Sequence, residues 1–376
     1  MNFVGPVEMV SGLGRSARGY VAALEAANVP VNVIPWRAGF EAQQRLEFSR
    51  PRAALQPINL IHLNPDMSHV WLHELSNLMQ PERYNIGIWY WELSSIRPEW
   101  MGLIARFDEI WCASGSMARS IGAVSPRPVR VVRPAVLSER PAGRLRRSDV
   151  GLPEQAYVFM FMCDAGSRLE RKNPLALARA YLDTFKPDDG AALLLKFSYA
   201  DFAPQAVRDL RAQLASRPDV VVADRILSPA ELADLWRQID CYVSPHRAEG
   251  LGLTVIEAMQ AAVPVIGTPY GGVADLLSDK TGLCLDYRLA EIEETVEPYP
   301  AGFIWAEPDR ASIAKHMRWA FENRRTVHYL AEAGRAAAEA LFSLAATSTR
   351  LREEINRICS SPKQMPRNTV SNLPAI

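Results

Sequence analysis

The sequence predicts an α/β protein of two doubly wound domains in tandem, and three observations lead there. Short β-branched or aromatic runs alternate with helical stretches along nearly the whole chain, as parallel strands and crossover helices do. The 376 residues exceed what one hydrophobic core usually supports. A polar, turn-rich passage at residues 144–153 divides the series in two, as an interdomain linker would. The expected divisions are a first domain at 1–140 and a second at 141–342. A helix at 343–358 is expected to pack back toward the first domain, and 359–376, containing Pro, Asn and Ser without periodicity, to be a disordered tail.

The first domain opens with a strand at 2–4 that runs into Gly5-Pro6 and Ser11-Gly12-Leu13-Gly14. A helix from Arg15 to about Ala27 follows, its apolar face made by Ala17, Tyr20, Val21 and Leu24. The next strand, 31–34, stops at Pro35. Gly12 and Gly14 invite a dinucleotide-binding reading, but no acidic residue ends the second strand, so a loop lining a cleft fits better. Further strands are expected at 59–63, 85–91, 107–113 and 129–132. Ligands of parallel sheets sit off the carboxyl ends of the strands, a rule that aligns Asn64, Asp66, Glu92 and Ser114 along one rim. Asp66 and Ser114 equally suit helix capping. Glu92 follows three aromatic residues and has no such structural duty. His62, His69 and His73 lack a tight metal-ligand spacing.

In the second domain strands are expected at 157–162, 191–197, 220–222 and 239–243, with a helix from Pro174 and helices near 204–215 and 229–238 between them. The helix beginning at Pro174 has proline where a first turn tolerates it. Residues 263–266 and 282–286 read as strands, 290–297 as a polar, acidic segment, and 310–323, 327–340 and 343–357 as helices.

Composition limits the function. Apolar content of 48% with 22% charged residues is ordinary for a globular protein. Lysine plus arginine and aspartate plus glutamate each number 42, which removes any global electrostatic case for nucleic acid. Residues 1–140 hold 14 Arg against 12 acidic residues, compatible with docking on an anionic surface. Cys112, Cys163, Cys241, Cys284 and Cys359 form no Cys-x-x-Cys pair and read as thiols in a reducing cytosol. No signal-peptide pattern and no apolar run of about 18 residues is present, so the expectation is a cytoplasmic protein, at most peripheral to a membrane.

The chemistry concentrates in residues 240–276. There a strand end, a glycine-rich loop (Glu249-Gly250-Leu251-Gly252), a helix over 254–262, a buried strand and a second glycine loop follow in turn. A loop that opens a helix at a strand's end binds phosphate through unpaired amides and the helix dipole, here Gly250, Leu251, Gly252, Leu253 and Thr254. Glu249 would repel a diphosphate and suits hydroxyls. Glu257 suits a sugar diol, or closes a capping box with Thr254. Between an earlier strand and helix lie Arg168, Arg171 and Lys172, facing the same cleft or forming a solvated turn. Lys196 ends a neighbouring strand. Such cations stabilise a leaving group that gains negative charge, at about 3–4 kcal/mol each in a dry site.

Taken together, these segments resemble the retaining glycosyltransferases of family 4 (glycosyl transferases group 1). The resemblance rests on Glu249 to Glu257 as a Glu-x7-Glu block, on Pro264-Val-Ile-Gly-Thr268 with Gly271-Gly272, and on Arg171-Lys172-Asn173-Pro174. Ser244-Pro-His-Arg-Ala-Glu-Gly250, Trp89-Tyr-Trp-Glu-Leu93, 108–111 with Ser114, and 305–309 extend it to about residue 358. It implies the GT-B fold, two doubly wound Rossmann-like domains facing a central cleft. The implied activity moves a hexose from a GDP- or UDP-sugar to a hydroxyl of a glycan or glycolipid, in polysaccharide or cell-surface glycan synthesis. The C-terminal domain would bind the donor, with Glu257 on the ribose, Glu249 on the transferred sugar and Lys172 on the diphosphate. Ser167, His246 and Lys196 would join the donor site. The N-terminal domain would hold the acceptor, with Gly12, Leu13 and Gly14 in a loop facing the donor. Neither a metal nor a cofactor is implied.

Two departures stand out. Many relatives carry a Gly-Arg pair shortly before the loop lysine; here Gly166 holds that position and Arg168 comes two residues later, so Arg168 or Arg171 substitutes. Where many relatives carry a strand-end histidine, Glu92 is the nearest counterpart. The alternatives are a non-catalytic nucleotide- or glycan-binding protein and a nucleotide-sugar epimerase on the same scaffold.

Overall fold

The computed structural model describes residues 1–48, 54–139 and 141–360. The chain forms two compact units, Met1–Leu137 with the chain from Ala340 onward, and Ser138–Glu339.

Unit 1 begins with β1 (Asn2–Gly5), α1 (Gly12–Ala26), β2 (Asn32–Pro35), β3 (Ile58–Ile61), α2 (Ser68–Trp71) and β4 (Tyr84–Trp89). It continues with α3 (Met101–Ile104), β5 (Glu109–Cys112), α4 (Gly115–Gly122) and β6 (Val129–Val131). The strands make one parallel sheet in the order β2-β1-β3-β4-β5-β6. An asparagine opens β1 and β2, and Asn59 and Asn85 are second in β3 and β4; these residues sit side by side in the register. Their buried amides link in series, Asn32 to Asn2 at 3.2 Å, Asn2 to Asn59 at 2.7 Å and Asn59 to Asn85 at 2.8 Å. A one-residue slip would break every link, so the ladder pins the register.

The expected loop at Gly12, Leu13 and Gly14 is instead the first turn of α1, because the Ser11 side chain caps it by accepting from the Gly14 amide at 3.2 Å. Gly14 is required there, since a Cβ would lie 2.1 Å from the Met9 carbonyl. Ser114 caps α4, accepting from the Met117 amide at 3.3 Å. His62 is buried against Ser16, 2.9 Å away, and burial pushes its pKa down to about 4.

Unit 2 contains β7 (Tyr157–Asp164), α5 (Leu169–Lys172), α6 (Pro174–Thr184), β8 (Ala191–Ser198), α7 (Pro204–Leu214), β9 (Val220–Asp224) and α8 (Pro229–Trp236). Then come β10 (Cys241–Ser244), α9 (Leu253–Gln260), β11 (Val265–Gly267), β12 (Leu283–Cys284), β13 (Tyr287–Glu291), β14 (Ile304–Pro308) and α10 (Arg310–Glu322). Its parallel sheet runs β12-β11-β10-β7-β8-β9. Phe159, Phe161, Leu193, Leu195 and Phe197 of the central strands pack on Tyr181 of α6, Leu210 of α7 and Met317 of α10. Residues 144–153, expected to be a linker, are fastened to this unit. Asp234 accepts from the amides of Gly143, Arg144 and Leu145, and Arg147 pairs with Asp240 at 2.8 Å.

β13 and β14 pair antiparallel, where the sequence suggested only a polar segment. Two helices close the described chain: α11 (Arg324–Phe342), which crosses the boundary between the units, and α12 (Leu344–Cys359) of unit 1. Within unit 1, Arg357 of α12 holds the fully buried Glu109 at 2.7 and 2.8 Å. Cys359 ends that helix; 361–376, the remainder of the expected tail, lie outside the described residues. All five cysteines are free thiols. No described helix is long and apolar enough to cross a membrane.

Candidate functional site

In unit 2 the chain builds β7, β8 and β9 to one side, then returns to place β10 on the other flank of β7. In such sheets ligands bind in the crevice outside the carboxyl ends of the strands, at the point where strand order reverses. The loops at that point are 165–173 after β7 and 245–252 after β10, and they carry most of the sequence-predicted site residues.

The first loop is a 3-10 turn, Ala165–Ser167, followed by the single turn of α5. Asp164 shapes it by accepting from the Gly166 amide at 2.8 Å, and the Ser167 hydroxyl donates to the Asp164 carbonyl at 2.6 Å. Ser167 therefore supports the turn. Asn173, with φ of 61°, ends α5 and hands over to Pro174 at the start of α6. The three cations of this loop have separate fates. Arg168 is exposed and donates from Nε to the Glu297 carbonyl. Arg171 is buried; Nη1 donates to the Ala248 carbonyl at 2.8 Å and Nε to the Ser167 carbonyl at 3.2 Å. Lys172, half-buried, forms an ion pair with Glu249.

Glu249 is the electrostatic centre. It is buried between Lys172 and Arg171, whose Nη1 lies 3.3 Å from its Oε2. Burial alone would raise its pKa, but the Lys172 and Arg171 charges outweigh that and hold it at about 2. The sequence suggested a carboxylate suited to hydroxyls; in the structure Glu249 also binds both cations of α5.

The glycine loop is clamped from its other side. The Gly272 amide donates to the Glu249 carbonyl at 2.7 Å, and a Cβ on Gly272 would fall 1.8 Å from the Gly250 carbonyl oxygen. Gly250 and Leu251 are buried, and Gly252, with φ of 80°, is the N-cap of α9. The capping-box reading of Thr254 and Glu257 fails for this reason. With Gly252 as cap, the helix starts at Leu253 and its third position is Val255, while Glu257 lies beyond the first turn. Thr254 meets the Tyr242 hydroxyl at 2.7 Å instead. Glu257 is buried, and its charge acts on Lys196.

Lys196 is buried near the end of β8 and donates to the Ser198 hydroxyl at 2.6 Å. Burial pushes its pKa down to about 8, opposed by the thiol of Cys163 and the carboxylates of Asp164, Glu257 and Asp224. It therefore faces an acidic group of side chains. His246 is fully buried with both ring nitrogens used inside the protein, Nδ1 3.0 Å from Ser244 Oγ and Nε2 3.4 Å from the Tyr270 carbonyl. Burial pushes its pKa down to about 4, so it supports the loop as a neutral ring.

A brace went unread in the sequence. Arg247 pairs with Glu307 of β14 at 2.6 Å, donates to the Glu170 carbonyl at 2.7 Å and lies over the Trp305 ring. Arg171 lies 5.9 Å from the Tyr299 ring centre. The β13–β14 pair and its connection thus secure both crevice loops. Glu92, Gly12, Leu13 and Gly14 belong to unit 1. Among the described residues no group of three His, Cys, Asp or Glu side chains is placed to hold a metal ion.

Comparison with known proteins places this architecture. The chain matches, over 95% of its length, the Anabaena Alr3699/HepE structure in complex with UDP and glucose (TM-score 0.66, 13% identity, 99% of that chain). It likewise matches sucrose-phosphate synthase from Thermosynechococcus elongatus (TM-score 0.68, 17% identity, 95% of this chain and 98% of that one). The fold is GT-B, two parallel six-stranded sheets flanked by helices. Residues 159–323 match the family model described as glycosyl transferases group 1.

Among curated relatives, the lipopolysaccharide core biosynthesis mannosyltransferase LpsB of Rhizobium meliloti is 43% identical over 70 residues, 17% of this chain and 20% of that protein. D-inositol 3-phosphate glycosyltransferase 1 of Catenulispora acidiphila is 32% identical over 158 residues, 40% of this chain and 37% of that protein. The chain thus spans between a fifth and two fifths of the length of these relatives.

Proposed function

We propose that the protein is a retaining, metal-independent glycosyltransferase of family 4. It moves a hexose from a GDP- or UDP-sugar to a hydroxyl of a glycan or glycolipid, in polysaccharide or cell-surface glycan synthesis at the cytoplasmic face of a membrane. One observation carries this reading: the switch-point crevice of unit 2 presents a lysine, a glycine loop leading into a helix N-terminus, and two buried carboxylates. Lys172 and the amides of Gly250 to Thr254 take the diphosphate. Glu257 takes the ribose hydroxyls and Glu249 the transferred sugar. The acceptor oxygen attacks the anomeric carbon as the bond to the diphosphate breaks. The bonding electrons leave with the phosphate oxygen, which collects the acceptor's proton, so no separate base is required. The relatives point the same way, one being a mannosyltransferase of lipopolysaccharide core biosynthesis and one a structure holding UDP and glucose.

A thermal-shift screen of UDP, GDP, ADP and their sugars identifies the donor, since a ligand at about 100 times its dissociation constant stabilises by about 2.7 kcal/mol. With that donor, Lys172→Ala and Glu257→Ala are expected to abolish transfer while remaining folded. Undiminished transfer in both variants would end the assignment.

A further inference from the structure

We infer that Lys172 is an exchangeable counter-ion, held by Glu249 until a nucleoside diphosphate takes it, and that Arg171 makes the exchange possible by staying behind. The inference rests on the donor-site reading above and assigns the two adjacent cations opposite duties.

Arg171 is committed to the protein interior. Its side chain is 4% exposed and bonds two carbonyls from different loops, Ala248 and Ser167. Its own carbonyl accepts from the Arg247 amide at 2.7 Å. A guanidinium so placed cannot swing out to a phosphate without abandoning these bonds. Lys172, next in sequence, has a more accessible side chain, at 15%, and its partner is the Glu249 carboxylate. A lysine is a point charge on a flexible stem and re-aims readily, whereas the planar arginine fork holds fixed geometry.

The acid has two oxygens and two cations. Arg171 faces Oε2 and Lys172 faces Oε1. When a diphosphate draws Lys172 away, Glu249 keeps one full counter-charge and does not become a bare buried anion, which would oppose the exchange. Arg171 is therefore a positioning residue for nucleotide binding. Of the two residues offered as substitutes for the usual loop arginine, Arg171 is the one that does not touch phosphate.

Titration of UDP and of GDP by calorimetry tests this, because free nucleotides lack the sugar that Glu249 would also contact. Glu249→Gln frees Lys172 and is expected to tighten binding about 10-fold, the scale of one charge-assisted hydrogen bond. Arg171→Met is expected to weaken binding by about 10- to 100-fold, since Lys172 becomes the sole partner of Glu249. The double variant is expected to recover the affinity of Glu249→Gln, a rescue that a purely structural arginine would not show. Arg171→Lys, which retains the charge, should fall between Arg171→Met and wild type. If Arg171→Met does not fold, Glu249→Gln alone decides. Unchanged or weaker binding there, or a double variant as weak as Arg171→Met, overturns the exchange. Wild-type protein that binds neither nucleotide overturns the exchange together with the donor-site reading.

Discussion

Lys196 carries a positive charge where burial opposes it, and replacing it should separate stability from function. The perturbation is Lys196→Met, which keeps the length of the side chain and removes the charge. In the folded protein the lysine pKa falls from 10.5 to about 8, with burial as the leading cause. The sign follows from proton binding. Between pH 8 and 10.5 the unfolded chain holds a proton that the folded chain has released, so this residue's contribution to stability rises with pH there. At pH 7 both states are charged, and the folded state bears the full penalty, about 3 kcal/mol. Lys196→Met should therefore be more stable than wild type by up to about 3 kcal/mol at pH 7, less what the Ser198 hydrogen bond contributes. At pH 9.5 the gap should shrink to about 1 kcal/mol. Urea unfolding of both proteins at the two pH values measures it. The difference between the proteins matters, because tyrosines and cysteines also titrate in this range and cancel in the comparison. Nucleotide affinity should fall in the same variant, since the charge facing Glu257 is gone. A variant less stable than wild type at pH 7, or a gap that does not narrow with pH, would refute the reasoning.

Three further outcomes follow from the geometry. Gly272→Ala should destabilise by about 3 kcal/mol or more, since its Cβ would fall 1.8 Å from the Gly250 carbonyl oxygen, and a urea titration with a nucleotide-binding assay would show both losses. Arg357→Met should destabilise by less than the roughly 3–5 kcal/mol of a fully bared buried charge, because Arg130 still lies 3.4 Å from Glu109, and adding Glu109→Gln should recover part of the loss in the same unfolding assay. The Glu249 pKa is depressed to about 2, so its stabilisation is full above about pH 4.5 and is lost as pH falls toward 2. The stability difference between wild type and Glu249→Gln should shrink over that window in acid unfolding experiments.

Most of the strands were legible because the sheets are parallel and covered on both faces, which leaves continuous apolar runs such as Tyr157–Asp164. β13 escaped for the converse reason. Four of its five residues are exposed and charges interrupt it, so no alternation marks it as a strand. The start of α9 was misread because two features compete for the cap. Thr254 with Glu257 satisfies the capping-box spacing, yet Gly252, with its positive φ, turns the chain two residues earlier. Spacing cannot report which of two caps the backbone adopts.

The residue types of the site were legible, and their couplings were not. Lys172 and Glu249 are 77 positions apart, and only the adjacency of β7 and β10 at the switch point brings them together. That adjacency also makes the two glutamates chemically unlike. Glu249 is matched by two cations that hold it ionised, whereas Glu257 acts on the buried Lys196. The two glutamates of one motif thus differ, and around Glu249 the two cations leave a surplus of positive charge. The surplus lies beside the lysine proposed to meet the diphosphate, so a leaving group that gains negative charge would arrive where positive charge is already in excess.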